Sequence, residues 1–420
     1  MARTLASVVE ISKVSPIEGA DRLEVAEMVG KGWKVVMQKE EFHEGDLAVF
    51  FEIDSALDPN DERYAFLKDR CLRKFVSKAG NVLREVIKIK TIKLRGQISQ
   101  GLLMPLNKYI GKELHFSVRP ATPDDCQAED GMPLTQEDLE GVEVAEIFYI
   151  KHYDDEEGTP AFDEKVIVLP GTDLTSLLHV EHFDEIKEQL QPAMGNPLSA
   201  DAKGRFPVDF VPKSDEDRLQ GHLDFFEKYK GLTFEVTAKD DGSSETIAYS
   251  PTIDENDPLV VCSRNLRLKR PEEGGKVSAF WQVVAKYGIE DKLKSLYEST
   301  GKEYALQGEC VGCGINGNKD RYSDFEFHVF RIWDIRESHF VAPEERREIC
   351  KRLDIPHVQV VAEKFPFFDK ITTMEEALKF AEGKTLRGNE REGVVLKQDD
   401  GKGDLHFKIV SNRYLLKQED

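Results

Sequence analysis

Phe234-Glu-Val-Thr-Ala-Lys239-Asp-Asp241-Gly242-Ser-Ser244 alternates apolar and polar residues for six positions and then breaks at a carboxylate and a glycine. A period of two predicts a strand with Phe234, Val236 and Ala238 on one face. Glu235, Thr237 and Lys239 then share the other face, towards a polar cleft. Lys239 ends the strand, which is how a nucleophilic lysine is presented. An ammonium attacks nothing at neutral pH, so this lysine needs desolvation, a cationic neighbour or a metal to lower its pKa.

Around this strand, from about Phe210 onwards, helical and strand patterns mix. Lys276–Tyr287 has helical periodicity and ends at Gly288, and a second helix is expected over Glu290–Glu298. Pro343 suits the first turn of a helix reaching Arg352, and Thr373-Met-Glu-Glu376 reads as a capping box opening a helix through Phe380. Strands are expected at Glu303–Val311, Phe325–Ile335, Gly393–Lys397 and Leu405–Val410. Without regular β-α-β alternation, this spacing favours an α+β domain of antiparallel sheets flanked by helices.

Upstream, Ala6 to about Leu106 shows short alternating strands broken by turn signals such as Glu44-Gly-Asp46, as in a small β-barrel. In Val86-Ile-Lys-Ile-Lys-Thr-Ile-Lys-Leu-Arg95 the apolar phase shifts at Thr91, read as a β-bulge. The middle is the least regular part, with one helix expected near Glu181–Leu190, and is read as connector and insertion. The expected boundaries are 1–115, 116–205 and 206–420.

A chain of 420 residues is long for one core, and 40% hydrophobic residues suffice for packed interiors. The amino terminus lacks a signal-peptide core, and no apolar run nears the roughly 20 residues of a membrane helix. Six cysteines are sparse, so an intracellular, cytoplasmic or nuclear protein without disulfides is expected. Net charge is −21, which argues against a polyanionic partner at first sight. Between Cys71 and Gly96 the balance reverses, with Arg73, Lys74, Lys78, Arg84, Lys88, Lys90, Lys93 and Arg95 facing only Glu85. This is either a local basic surface for nucleic acid, carried by Lys88, Lys90, Lys93 and Arg95, or a solvated strand face.

A lysine attacking a nucleotide α-phosphate needs cations for the phosphates, carboxylates for magnesium and ribose, and a flat surface for the base. The chain supplies these in order: Arg264 in Cys262-Ser-Arg-Asn265, Glu309 after Gln307-Gly308, Phe330 opening Phe-Arg-Ile-Trp-Asp-Ile335, Glu392 opening Glu-Gly-Val-Val-Leu-Lys397, and Lys408 in Leu405-His-Phe-Lys-Ile-Val410. Phe330 and Trp333 also fit a buried strand. Cys310-Val-Gly-Cys313 has no second pair at metal-ligand spacing, and His43, His115 and His328 show no partner.

Those segments resemble the collinear motifs of the covalent nucleotidyltransferases, which include DNA ligases, RNA ligases and RNA-capping enzymes. The resemblance is closest to ATP-dependent RNA ligases of the Deinococcus and Naegleria type. It is carried also by Gly19-Ala-Asp-Arg-Leu-Glu24, Val49-Phe-Phe-Glu-Ile-Asp54, Arg95-Gly-Gln-Ile-Ser-Gln-Gly-Leu102 and Phe210-Val-Pro-Lys-Ser-Asp-Glu-Asp-Arg-Leu-Gln220. It implies an OB-like barrel ahead of an ATP-grasp-like ligase core. It further implies that Lys239 forms a lysyl-AMP from ATP, with Asp241 and Gly242 beside it, and that AMP passes to a 5′-phosphate which a 3′-hydroxyl then joins. By the same resemblance Glu309 contacts ribose or metal waters, Phe330 stacks on adenine and Glu392 positions metal-bound water. Lys397 and Lys408 hold the α-phosphate, and Arg218 and Arg264 contact other phosphates or the substrate strand. Asp241, Glu309 and Glu392 are the expected side chains for Mg2+ or Mn2+, and the partner is RNA or an RNA/DNA duplex, with a monomer favoured.

The last motif of these enzymes usually carries two lysines one residue apart, where this chain has His406-Phe-Lys408. Either His406 substitutes in part for the missing cation, or the phosphate grip is weaker there, or Lys408 matches the first lysine and Val410 the second. A non-catalytic OB-fold protein binding RNA or tRNA would explain the first hundred residues and leave Lys239 unexplained. DNA ligases and capping guanylyltransferases ordinarily place an OB domain after the catalytic one, and the dozen or so residues after Lys408 leave no room for it. Carboxylates around a ligand-free Lys239 should raise its pKa, so divalent metal is expected to activate it.

Overall fold

The alternation in Ala6–Pro16 carries through into an eleven-residue strand that serves two pairings. Its first half pairs with Leu47–Phe51 and its second with Leu23–Met28, with a register shift between Ile11 and Lys13. The structure, a computed structural model, describes residues 4–106, 114–125, 135–137, 139–154, 159–195, 201–214, 216–399 and 405–417. It divides into two units, Met1–Met194 and Gly195–Asp420.

In the first unit a five-stranded antiparallel sheet runs Leu102–Pro105, Leu47–Phe51, Ala6–Pro16, Leu23–Met28, Lys31–Gln38. Alternate residues feed two cores, because both faces of the sheet are covered. Val8, Val49 and Phe51 pack with Leu57, Ile87 and Met104, whereas Val9, Ala48 and Phe50 pack with Ile11, Trp33 and Val35.

Two details differ from the sequence reading. The phase shift at Thr91 is a break between strands, not a bulge: Val82–Lys88 belongs to a four-stranded sheet, and Thr91–Leu94 forms a hairpin with Gln97–Gln100. Its turn, Arg95-Gly96, has φ of 48° and 85°, as a tight hairpin requires. The middle stretch, expected to be irregular, holds an antiparallel sheet of Leu114–Pro120, Glu143–Asp154 and Thr159–Val168. Leu174 and Val180 join the core of the first unit, and the Phe183–Leu190 helix seats Ile186 against Ala56, Phe75 and Val86. Cys126, the acidic residues Asp155, Glu156 and Glu157 and the side chain of His115 lie outside the described residues.

The second unit has two sheets. The larger runs Ala202–Arg205, Leu266–Leu268, Leu259–Ser263, Ser243–Tyr249, Tyr304–Val311, Glu326–Asp334, His339–Phe340. Helices Ala279–Lys286, Ile289–Thr300 and Pro343–Arg352 cover it, burying Trp281, Val283, Leu293 and Ile349 against Ile247, Leu306 and Val329. The smaller runs Asp217–Arg218, His406–Val410, Gly393–Gln398, Phe234–Lys239, Val360–Phe365, antiparallel except for its first pair. Phe234 and Val236 enter a core with Phe367, Phe368 and Phe407, as the alternation demands. The opposite face is polar but closed: Glu235 is buried and paired with Arg346 and Arg347.

Among the described residues, no helix is long and apolar enough to cross a membrane. The Thr373 capping box forms as read: Thr373 Oγ1 accepts from the Glu376 amide at 3.2 Å and Glu376 Oε2 from the Thr373 amide at 3.3 Å, opening Met374–Ala381. Thr373→Ala should cost about 1 kcal/mol of stability, checked by chemical denaturation of the two proteins side by side.

Candidate active site

Lys239 is the last residue of its strand and lies opposite Gly393 on the neighbouring strand. A Cβ on Gly393 would stand 2.1 Å from the Ile409 carbonyl oxygen, so only glycine lets the strands close at this point. That register carries Glu392 alongside the lysine, with Nζ 2.9 Å from Glu392 Oε1. The chain then crosses to the larger sheet, where the Gly242 amide donates to Glu309 Oε1 at 3.1 Å. A Cβ on Gly242 would meet the Cys310 carbonyl oxygen at 2.4 Å and Glu309 Cγ at 2.8 Å. Glycine is therefore what lets the Lys239 turn lie against the strand bearing Glu309.

These contacts set the charge of the site. Burial acts to lower the pKa of Lys239, but Glu392 and Glu309 outweigh it and hold the ammonium above the ordinary lysine range. This is the direction expected from the sequence. Burial pushes the Glu309 carboxyl up to about 8, against the opposing pull of Lys239, with Glu392 and Asp240 adding to the rise. Asp240 is held by His328, whose Nδ1 lies 2.7 Å from Asp240 Oδ2 and whose Nε2 lies 3.2 Å from Glu326 Oε2. Burial opposes protonation of His328, and Asp240 and Glu326 prevail, raising its pKa. A histidine that showed no partner in the sequence thus braces the residue next to Lys239.

Asp241 is bound on all sides. Asn316 Nδ2 donates to its Oδ1 at 3.0 Å, Lys319 Nζ lies 2.9 Å from its Oδ2, and the Tyr414 hydroxyl donates to the same oxygen. Sequence reasoning missed all three partners. The one visible signal is the glycine- and asparagine-rich run Gly312-Cys-Gly-Ile-Asn-Gly-Asn318, which suits a left-handed loop. Asn316, Gly317 and Asn318 do take φ of 43°, 73° and 46°.

A second group of charges lies on the smaller sheet. Lys397 is buried, donates to Thr237 Oγ1 at 3.1 Å, and is pushed down to about 7 by burial and by Arg346 and Arg331. Lys408 lies opposite Val395 and, across the parallel pairing, opposite the half-buried Arg218. Glu216, also missed, lies 3.7 Å from Arg331. Burial would raise its pKa, but Arg331, Lys408 and Lys397 hold the carboxyl below the usual range. His406 is pushed down to about 4 by burial and by Arg331. Without bound phosphate this favours the neutral ring over the charged one.

Of the remaining expected residues, Arg264 lines a cavity with Phe206, Lys213, Ser244, Thr246 and Gln307. Phe330 sits where the register between the Tyr304–Val311 and Glu326–Asp334 strands slips, between Val329 opposite Gly308 and Arg331 opposite Gln307. It is half-buried and outside the core clusters, whereas Trp333 packs against Phe206 and Ala248. Lys88, Lys90, Lys93 and Arg95 belong to the first unit. Lys88 pairs with Asp54 at 3.2 Å and lies 4.4 Å from the Phe183 ring centroid, Lys90 is half-buried, and Lys93 and Arg95 are exposed. Cys310 is buried and Cys313 exposed, both with free thiols. Among the described residues, no group of three or more His, Cys, Asp or Glu side chains could hold a metal. The hard-oxygen donors near Lys239 instead fit a cation completed by water and phosphate oxygens, the usual arrangement for magnesium.

A strand-end lysine paired with one carboxylate and close to others, with further lysines on the same sheet, is an arrangement that suits a covalent nucleotidyltransferase. Residues 5–106 match the OB-fold domain family and residues 232–410 match the RNA ligase family. No curated protein matches the chain. Solved structures of Naegleria gruberi RNA ligase are similar over the full length: the form with PPi has 28% identity, covers 100% of both chains and gives a TM-score of 0.70. A mutant of that ligase with ATP and Mn has 27% identity over 100% of both chains, TM-score 0.70, and a mutant with AMP and Mn has the same values. The chain belongs to the RNA ligases, with an OB-fold domain preceding the ligase domain.

Gly393→Ala should disrupt the Lys239 register and cost about 3 kcal/mol by overpacking. The check is a fall in the unfolding midpoint together with loss of the Lys239–Glu392 ion pair in a structure of the variant.

Proposed function

We propose that this ATP-dependent RNA ligase works through Lys239. The lysine Nζ attacks the ATP α-phosphorus, the bond to the β-phosphate oxygen breaks, and pyrophosphate leaves, giving a lysyl-AMP phosphoramidate. AMP then passes to a 5′-phosphate end, and a 3′-hydroxyl displaces it to form the phosphodiester. The observation that carries this reading is the presentation of Lys239 at a strand end, 2.9 Å from Glu392 and backed by Glu309.

The ammonium must lose a proton to attack, and the carboxylates around it oppose that loss. A bound Mg2+ or Mn2+ supplies positive charge that offsets the carboxylates and the phosphates. Asp241, Glu309 and Glu392 would hold it together with water and phosphate oxygens. Lys397 and Lys408 hold the α-phosphate oxygens, Arg218 and Arg264 take other phosphates or the substrate strand, and Phe330 stacks on adenine. Catalysis of this kind rests mainly on position and charge. The substrate proposed is RNA, or an RNA/DNA duplex with 5′-phosphate and 3′-hydroxyl ends, bound with help from Lys88, Lys90, Lys93 and Arg95. The protein acts as a monomer inside the cell, a setting that suits the free thiols of Cys71, Cys262, Cys310, Cys313 and Cys350.

Incubation with α-labelled ATP and a divalent metal should leave label on the denatured wild type and none on Lys239→Ala; no covalent label on the wild type under Mg2+ or Mn2+ would overturn the reading. On nicked duplexes differing only at the 3′ terminal sugar, sealing should be faster with ribose; a preference for deoxyribose would make the enzyme a DNA ligase.

Lys397 gives a pH signature. With a pKa of about 7 it is largely neutral above that pH, and a bound phosphate favours its charged form and raises the pKa. AMP binding should therefore take up about one proton between about pH 7 and 9, an uptake that disappears in Lys397→Met. Calorimetry in two buffers of different ionisation enthalpy measures it.

A further inference from the structure

Lys319 is paired with one oxygen of Asp241. Its Nζ lies 2.9 Å from Asp241 Oδ2, donates to the Tyr414 hydroxyl oxygen at 2.7 Å and lies 4.3 Å from the Tyr414 ring centroid. Tyr414 is buried and donates its own proton to Asp241 Oδ2. Asn316 ties Oδ1 to the loop and also donates to the Gly242 carbonyl oxygen at 2.6 Å. The carboxylate is thus met by one cation and two neutral donors.

The loop that delivers Lys319 is strained. Asn316, Asn318 and Arg321 are non-glycine residues at φ of 43°, 46° and 54°. Such backbone persists where the surroundings over-determine it, and here the contacts to Asp241, Gly242 and Tyr414 do so. Other acids beside this cleft already have partners. Asp320 accepts from Thr385 and Asn389, and Glu390 pairs with Arg413 at 2.9 Å and Lys417 at 3.0 Å. The ammonium of Lys319 is therefore committed to Asp241.

We propose that Lys319 is an internal stand-in for the divalent cation. It keeps Asp241 neutralised and oriented in the metal-free enzyme and leaves that oxygen when metal binds, remaining on the Tyr414 hydroxyl. An ammonium and a dication cannot share one carboxylate oxygen, because like charges at contact distance repel. Lys319 is a positioning residue that lowers metal affinity in exchange for a preformed Asp241. The inference rests on the reading that Asp241 serves the metal.

The test is Mn2+ titration of the full-length protein without nucleotide, following free Mn2+ by electron paramagnetic resonance. Lys319→Gln keeps a donor to Asp241 and Tyr414 but removes the charge, and should bind Mn2+ about tenfold more tightly than wild type. Lys319→Arg should stay near wild type. In an Asp241→Asn background the gain from Lys319→Gln should vanish. A merely structural Lys319 would weaken binding when substituted, so weaker or unchanged affinity in Lys319→Gln overturns the proposal, as does a gain that persists without Asp241. Lysyl-AMP formation by the wild type is read separately. If it forms while Lys319→Gln shows no gain, the stand-in is refuted and the ligase reading survives; if it does not form, the ligase reading fails whatever the titration shows.

Discussion

The ion pair between Lys239 and Glu392 exists because two strands meet with Lys239 opposite Gly393. That pairing is narrow enough that a single methyl at position 393 would collide with the Ile409 carbonyl. Once the register is fixed, Glu392 has no other place to be. The same turn then brings Gly242 against the Glu309 strand, so Glu392 and Glu309, from two different sheets, both act on the charge of Lys239. The aromatic core beneath, with Phe234, Phe367, Phe368 and Phe407, anchors the strand that carries Lys239.

The consequence is a site arranged in opposing charges. On one side Glu392 and Glu309 raise the pKa of Lys239, and Asp241 pairs with Lys319. On the other, Arg331, Arg346 and burial depress Lys397, while Glu216 sits among the cations as their internal counter-ion. In the proposed reaction a triphosphate with its metal suits both halves, because its anionic oxygens match the cations and its cation matches the carboxylates. This is why a resting lysine with a raised pKa is compatible with a nucleophile.

What was legible in the sequence follows from range. The Phe234–Lys239 strand, the Thr373 capping box and the Pro343 helix start are written in neighbouring residues, and they formed as read. The order of Lys239, Glu309 and Glu392 was readable too, and the sheets bring these three together. Lys319, Tyr414 and Glu216 carry no local mark: they reach the site only through a loop, a terminal helix and a short parallel pairing far apart in the chain. The phase shift at Thr91 failed as a bulge because local alternation does not say which sheet a strand joins. His406 shares a strand face with Lys408, as the period of two requires, yet burial, which the sequence does not give, lowers its pKa.

The central claim is that carboxylates hold Lys239 charged until metal and nucleotide arrive. Its most direct measurement is an NMR titration of protein carrying 13C at the lysine ε-carbons, with the Lys239 signal assigned by its loss in Lys239→Arg. In metal-free protein the signal should titrate above the ordinary lysine range, and Glu392→Gln should bring it down. A Lys239 that titrates at or below the ordinary value without metal would contradict the claim.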